Sequence, residues 1–355
     1  MTLADLGYTA GLAHYRKSNN WDSFHIGRVV SEHRDRYVVK TDTGDFESEL
    51  IGNIRYTAEN RYDLPAVGDW VAISEYDKDK ALIHYIYPRH SIIERKAVGK
   101  SGQVQLIATN IDYGLIVQSV NRDFNTNRLE RYLAICNVSR VKPIIVLSKI
   151  DLVDELELQK RMQQINGRIK GVPLVAISNE TTIGLDKLES LISEGKTYCL
   201  LGSSGVGKST LLNKLCGKEL MNTGAISESI DRGKHVTSHR ELIVLENGGI
   251  LIDNPGMREV GLTDSSSGID ITFEDIVKLS NHCKFKDCKH TTEIGCAVVE
   301  ALENGDIDEA SYENYLKMER EKMHFESTIA ERRQKDKDFG KMVKRFKNQK
   351  RRGKV

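Results

Sequence analysis

The chain has 355 residues, of which 39% are hydrophobic and 29% charged, close to the globular average and unlike a fibrous or wholly disordered protein. No apolar run reaches the roughly 18 residues of a membrane helix, and Met1–Lys17 lacks the basic and apolar succession of a secretion signal, so a soluble, cytoplasmic chain is expected. The net charge of +1 hides an asymmetry, because residues 317–355 carry 15 Lys and Arg against 6 Asp and Glu, whereas residues 1–316 carry 37 against 45.

Residues 24 to about 96 read as short strands. Arg36–Thr41 leads into the turn Asp42–Asp45, and Gly68–Ile73 and Leu82–Tyr87 follow, all punctuated by Gly and Asp. This pattern predicts a small barrel or sandwich, and a five-stranded oligonucleotide-binding (OB) barrel over residues 1–100 fits the size best.

From Ala108 the texture changes. Apolar runs at 113–117, 143–147, 173–177 and 198–201 alternate with helical stretches, as buried parallel strands do in an α/β sheet. A central α/β domain is predicted over 101–264.

The second of these runs ends in Ser148-Lys149-Ile150-Asp151. Two readings fit. Asp151 caps an ordinary strand-to-helix turn, or its carboxylate accepts the N1 and N2 hydrogens of guanine, which adenine does not offer. Ala176–Asn179 closes the next strand, where the backbone NH of Ser178 is placed to meet the guanine O6.

The strongest signal is Gly202-Ser203-Ser204-Gly205-Val206-Gly207-Lys208-Ser209-Thr210, directly after the run Tyr198–Leu201 and leading into Leu211, Leu212 and Leu215 on one helical face. It fits the phosphate-binding loop G-x-x-x-x-G-K-[ST] in its required strand–loop–helix context. Successive backbone NH groups and the helix N-terminus meet phosphate oxygens. Lys208 reaches the β- and γ-phosphates and Ser209 ligates Mg²⁺.

Further on, Leu242–Leu245 and Ile250–Ile252 flank the turn Asn247-Gly248-Gly249 and predict a hairpin that ends at Asp253-Asn254-Pro255-Gly256. Asp253 at a strand end suits Mg²⁺, and the Gly256 NH suits the γ-phosphate; the same four residues also suit a plain turn.

Residues 265–275 are polar and turn-rich and read as a linker. Three of the six cysteines then fall within 283–296, in the spacing C-x4-C-x-H-x5-C formed by Cys283, Cys288, His290 and Cys296. Three thiolates and one imidazole would close a tetrahedral zinc shell, a structural site in a reducing compartment. His282, beside Cys283, is a rival ligand. Tyr312, Tyr315, Leu316 and Met323 follow at helical spacing, and from Lys341 onward eight basic residues meet no acid, a partner- or phosphate-binding arm.

Taken together, the motifs resemble a translation-factor-related GTPase in permuted order, with the guanine-reading motif before the phosphate loop and D-x-P-G last. Nearly the whole chain is similar to the ribosome small-subunit-dependent GTPase family, known as RsgA or YjeQ. Gly68-Asp69-Trp70-Val71 resembles a motif of that family's N-terminal barrel, while Thr223–Ser227 and Gly233–Thr237 resemble its first switch. The resemblance implies an OB-fold barrel (1–100), a circularly permuted GTPase domain (101–264) and an α-rich zinc-binding domain with a basic helical tail (265–355). It also favours His290 over His282 as the fourth zinc ligand and makes Thr237 a third Mg²⁺ ligand beside Ser209 and Asp253. Two departures stand out. The guanine motif begins with Ser148, where Asn or Thr is usual, and the switch reads His235-Val236-Thr237-Ser238 in place of a threonine run.

Hydrolysis needs an oriented water. Ras-like enzymes use a glutamine just after D-x-x-G; here that position is Met257, whose thioether is a poor partner for water. The resemblance assigns the task to His235, neutral near pH 7, against the alternative of a solvent-facing loop histidine. It further implies docking of a monomer to the small ribosomal subunit and its rRNA, and GTP hydrolysis stimulated by that subunit during its late maturation. Two other readings stay open: a soluble P-loop ATPase or kinase, and an RNA-binding assembly factor with a merely structural nucleotide site.

Overall fold

The structure, a computed structural model, describes residues 1–33, 36–96, 104–121, 123–217, 241–253 and 266–323. The chain divides into two compact units, Met1–Thr263 and Asp264–Val355.

The first unit opens with helix α1 (Ala10–Ser18), capped by the Thr9 hydroxyl on the Leu12 NH. Strands β1 (His25–His33), β2 (Arg36–Lys40) and β3 (Asp45–Leu50) follow, then the short helix α2 (Gly52–Thr57) and strands β4 (Trp70–Asp77) and β5 (Lys80–Ile86). Pairing runs β1–β2–β3–β5–β4 and returns from β4 to β1, so the five strands close into a barrel. Closure removes the free edges that would otherwise template aggregation. Val29, Val39, Val71, Ile73 and Ile83 fill the interior at 0% exposure, as the alternation of a strand with one face inward requires. The sequence pattern located β2, β4 and β5 but not β1, whose middle is buried without alternation.

A hairpin of β6 (Ile92–Lys96) and β7 (Val104–Thr109) leads into the α/β part. There β8 (Tyr113–Ser119), helix α3 (Thr126–Val138), β9 (Lys142–Ser148), α4 (Glu155–Arg168), β10 (Leu174–Ala176), α5 (Leu185–Ser190), β11 (Thr197–Leu201), α6 (Lys208–Cys216), β12 (Glu241–Val244) and β13 (Ile250–Asp253) follow in turn. The strand order is β10-β9-β8-β11-β13-β12, parallel except for β12, which pairs antiparallel with β13 as the hairpin reading expects. Two apolar layers cover the sheet, one built on Leu129, Leu133 and Ile165 and the other on Leu188, Leu211 and Leu212. Cys136, Cys199 and Cys216 are buried among them.

Barrel and sheet are stitched together. Ser31 of β1 pairs with Glu241 of β12. Arg28 of β1, 1% exposed, donates to the carbonyls of Gly68 (3.2 Å), Leu6 (2.6 Å) and Asn110 (3.1 Å) and to the Thr197 hydroxyl (2.9 Å). Asp69 accepts from Arg89 Nη2 (2.6 Å), the Thr109 hydroxyl (2.6 Å) and the Ala66 NH (2.8 Å). Gly68-Asp69-Trp70-Val71 thus acts as a seam: Gly68 has φ +98, and a Cβ there would lie 2.1 Å from the Thr109 carbonyl oxygen.

In the second unit the reading of 265–275 as a linker is overturned. Helix α7 (Ser266–Thr272) fills most of that stretch, and α8 (Glu274–Ser280) begins within it. Ile269, Phe273 and Ile276 are buried at helical spacing, an apolar stripe that outweighs the polar, turn-like composition. After the cysteine segment come α9 (Ala297–Glu303) and a helical stretch over 309–323. The basic residues from Lys341 onward lie outside the described residues.

Candidate functional site

The parallel strands β8, β9, β10, β11 and β13 all end on one edge of the sheet. In such sheets ligands bind beyond the carboxyl ends. The guanine-motif residues follow β9, Ser178 follows β10, the phosphate loop follows β11 and Asp253 ends β13. With strands about 4.8 Å apart, the base-reading loop and the phosphate loop stand two spacings apart, with β8 between them.

The phosphate loop is wound by its glycines. A Cβ on Gly202 would lie 2.3 Å from the Val117 carbonyl oxygen, so only glycine lets the loop leave β11 this close to β8. Lys208 Nζ donates to the carbonyl of Gly202 (2.7 Å) and to that of Ser203, which holds its ammonium over the loop. Ser203 is half-buried, and Ser204 and Gly205 are exposed. Val206 is buried, and Ser209 and Thr210 form the first turn of α6.

Ser148 is fully buried, and its hydroxyl donates to the Val206 carbonyl at 2.7 Å. The serine that departs from the usual Asn or Thr therefore still braces the phosphate loop. Asn179 adds a second brace through Nδ2 to the Gly207 carbonyl (3.2 Å). Lys149 takes a left-handed conformation (φ +61) and starts the one-turn helix Ile150–Leu152. Asp151 is exposed, and its Oδ1 accepts from the Ser178 hydroxyl, which in turn accepts the NH groups of Glu180 (3.2 Å) and Thr181 (3.1 Å). The Ser178 NH, expected to meet the guanine O6, instead donates to the Ile183 carbonyl (2.9 Å), so Ser178 enters the site through its hydroxyl.

Three residues near the loop escaped the sequence reading. Asn179 was noted only for its backbone. Tyr132, whose pKa burial raises, reaches Ser203 with its hydroxyl, and Arg128 Nη1 lies 3.5 Å from the Ser203 Oγ. Both stand on α3, more than seventy positions upstream of Ser203 in sequence, so no local motif marks them. Glu241 faces Asp253 across the β12–β13 pair. Ser209 and Asp253 offer the oxygen donors that Mg²⁺ takes. His235, Thr237, Gly256 and Met257 lie outside the described residues.

In the second unit Cys283, Cys288, His290 and Cys296 bring one donor atom each within 4.8 Å of one another. A tetrahedral zinc with Zn–S near 2.3 Å and Zn–N near 2.05 Å has edges of about 3.8 Å between sulfurs and about 3.5 Å between sulfur and nitrogen. Cys283 Sγ to Cys296 Sγ is 3.8 Å, and each of these sulfurs is 3.5 Å from His290 Nδ1, so the donor set fits zinc. Burial lowers the His290 pKa, which favours the neutral imidazole a metal needs. His282 is exposed and turns Nδ1 to the Lys278 carbonyl (3.0 Å); it is not part of the cluster. Glu293 ties the segment by accepting the NH groups of Thr291 (2.8 Å), Lys289 (3.0 Å) and Thr292 (3.1 Å), and these bonds pull its pKa down to about 2.

The family model described as RsgA GTPase matches residues 86–263. A second, described as ABC transporter, matches residues 185–351; the two overlap where the phosphate loop lies. The chain is 40% identical to the small ribosomal subunit biogenesis GTPase RsgA 2 of Vibrio parahaemolyticus, covering 98% of this chain and 94% of that protein. It is 37% identical to RsgA 1 of Bacteroides thetaiotaomicron, covering 97% and 96%. Among solved structures it resembles YjeQ from Thermotoga maritima (TM-score 0.62, 26% identity, 84% of this chain and 98% of that one). It also resembles YloQ, a circularly permuted GTPase (TM-score 0.63, 25% identity, 85% and 96%).

Proposed function

Because this chain belongs to the RsgA GTPase family, we propose that it binds GTP with Mg²⁺ and docks on the small ribosomal subunit and its rRNA late in that subunit's maturation. There it hydrolyses GTP to GDP and phosphate under stimulation by the subunit. The observation that carries this reading is the pair of braces from the base-reading loops to the phosphate loop, Ser148 to Val206 and Asn179 to Gly207. A purely structural nucleotide site has no need to couple base identity to phosphate geometry.

In this reading residues 1–100, 101–264 and 265–355 are the barrel, the GTPase domain and the zinc-binding domain. Asp151 reads guanine, Gly202–Thr210 cradles the phosphates, and Ser209, Thr237 and Asp253 hold Mg²⁺. The Gly256 NH meets the γ-phosphate, and His235 orients the attacking water. Zinc holds one knuckle of the second unit and takes no part in the chemistry. The protein works as a cytoplasmic monomer outside any membrane, and among the described residues no helix is long and apolar enough to cross one.

The test is GTP turnover with and without small ribosomal subunits, for the native chain and His235→Ala. Strong stimulation by small subunits alone, lost in the variant, is expected. ATP preferred over GTP would point to the kinase or ATPase reading, and a rate unmoved by subunits would point to the structural-nucleotide reading.

A further inference from the structure

A cavity of about 270 Å³ lies where the N-terminal segment, the barrel and the α/β sheet meet. It is remote from the nucleotide edge. Asp112 and Lys196, on its wall, immediately precede β8 and β11, whereas the phosphate loop follows the far end of β11, about 16 Å away along five residues of strand. Nothing in the proposed GTPase mechanism uses this space.

Its back wall holds a charge without a contacting counter-charge. Arg28 lines the cavity and is 1% exposed, yet its four acceptors are three carbonyls and a hydroxyl, all neutral. These take four of the five guanidinium hydrogens and leave one on Nη1. The two nearby carboxylates are otherwise engaged: Asp69 with Arg89 (2.6 Å), and Asp112 with Lys196 (3.4 Å) and the Thr197 NH (2.8 Å). Burial lowers the Arg28 pKa to about 10, opposed by Asp112 and Asp69 at a distance. A buried cation is ordinarily matched by an anion in contact.

The remaining wall is suited to an organic ligand. Trp70 and Tyr15 supply aromatic surface, Lys196, half-exposed and loosely paired with Asp112 (3.4 Å), brings a second cation to the rim, and Gly11 leaves the α1 side open. A Cβ on Gly7 would lie 2.8 Å from the Gly195 carbonyl oxygen and 3.2 Å from Arg28 Nη1, so only glycine lets the N-terminal segment pass this close to both. Guanidinium groups bind carboxylates and phosphates alike; the aromatic wall and a volume that admits a molecule slightly larger than benzene favour a small organic carboxylate over free phosphate.

We propose that this cavity is a binding site for a small organic carboxylate, its anionic end held by Arg28 and Lys196 and its apolar body packed between Tyr15 and Trp70. Occupancy would clamp the N-terminal segment, the barrel and the sheet together, since each contributes to the wall.

Benzoate is the probe, and the chain supplies its own reporter, because it has two tryptophans, Trp21 and Trp70. The two indole NH signals of ¹⁵N-labelled protein, assigned with Trp21→Phe, are followed while benzoate or the neutral benzamide is added. Gly11 lines the cavity and a Cβ there meets only the Thr9 Oγ1, at 3.7 Å, so Gly11→Leu sets an isobutyl group on the cavity wall without displacing backbone and leaves GTP turnover intact. The expected result is a saturable shift of the Trp70 signal with benzoate, at least tenfold weaker in Gly11→Leu, severalfold weaker in Lys196→Ala, and absent with benzamide. No saturable shift, an equal response to benzamide, or native affinity in both variants would overturn the proposal.

Discussion

Ser148 illustrates how one side chain serves a distant loop. Its hydroxyl is a single donor to the Val206 carbonyl, and a hydrogen bond of this kind contributes about 1 kcal/mol. Ser148→Ala should therefore weaken GTP binding about fivefold, measured by titration of a fluorescent GTP analogue, without changing the preference for guanine. Asp151→Ala should do the reverse: GTP-over-ATP selectivity should fall about 100-fold or more, since in the proposed function the lost carboxylate is the group that rejects the wrong base. Asp151, the phosphate loop and the Cys283, Cys288, His290 and Cys296 set were legible in the sequence because each is a short motif whose residues act near one another along the chain. Arg28, Asn179 and Tyr132 were not, since their partners are reached only when remote strands and helices pack. The ambiguity over His282 closed for the same reason: two adjacent-looking candidates differ in where the backbone aims them.

At the level of elements, glycine spacing and cysteine spacing make separate predictions. Gly68→Ala places a methyl 2.1 Å from the Thr109 carbonyl oxygen at a φ that favours glycine, so the seam must shift; a loss of about 3 kcal/mol or more, seen in thermal unfolding, is expected from strain plus overpacking. For the cysteine segment, one zinc per chain should be found by elemental analysis. A chelator, or Cys288→Ser, should remove it and lower the helix signal of residues 264–355 in isolation from GTP binding. The parallel strands were readable as apolar runs because both faces are covered. Helix α7 reads as a linker because Ser266, Ser267, Gly268 and Asp270 make up most of its seven residues, while the inward stripe of Ile269, Phe273 and Ile276 continues beyond it into α8.

For the molecule as a whole, the barrel contributes a dependence on pH. His84 packs against Phe24 (4.6 Å between rings) and bonds to Ser74 (2.7 Å), and burial lowers its pKa from 6.5. The unfolded chain then takes up the proton first. The stability tied to neutral His84 is complete above pH 6.5 and is lost as pH falls through the lower folded value. The melting temperature should drop between pH 7 and 5, with a shallower slope in His84→Gln. The pairing of Glu241 has a further consequence. On one side it stands opposite Asp253, the candidate Mg²⁺ ligand, and on the other opposite Ser31 of the barrel. Two joints therefore share one residue of β12. A single-residue insertion or deletion ahead of Val244 would slip both registers at once and turn each side chain it moved to the opposite face, so the length of this strand cannot drift as that of a surface loop can.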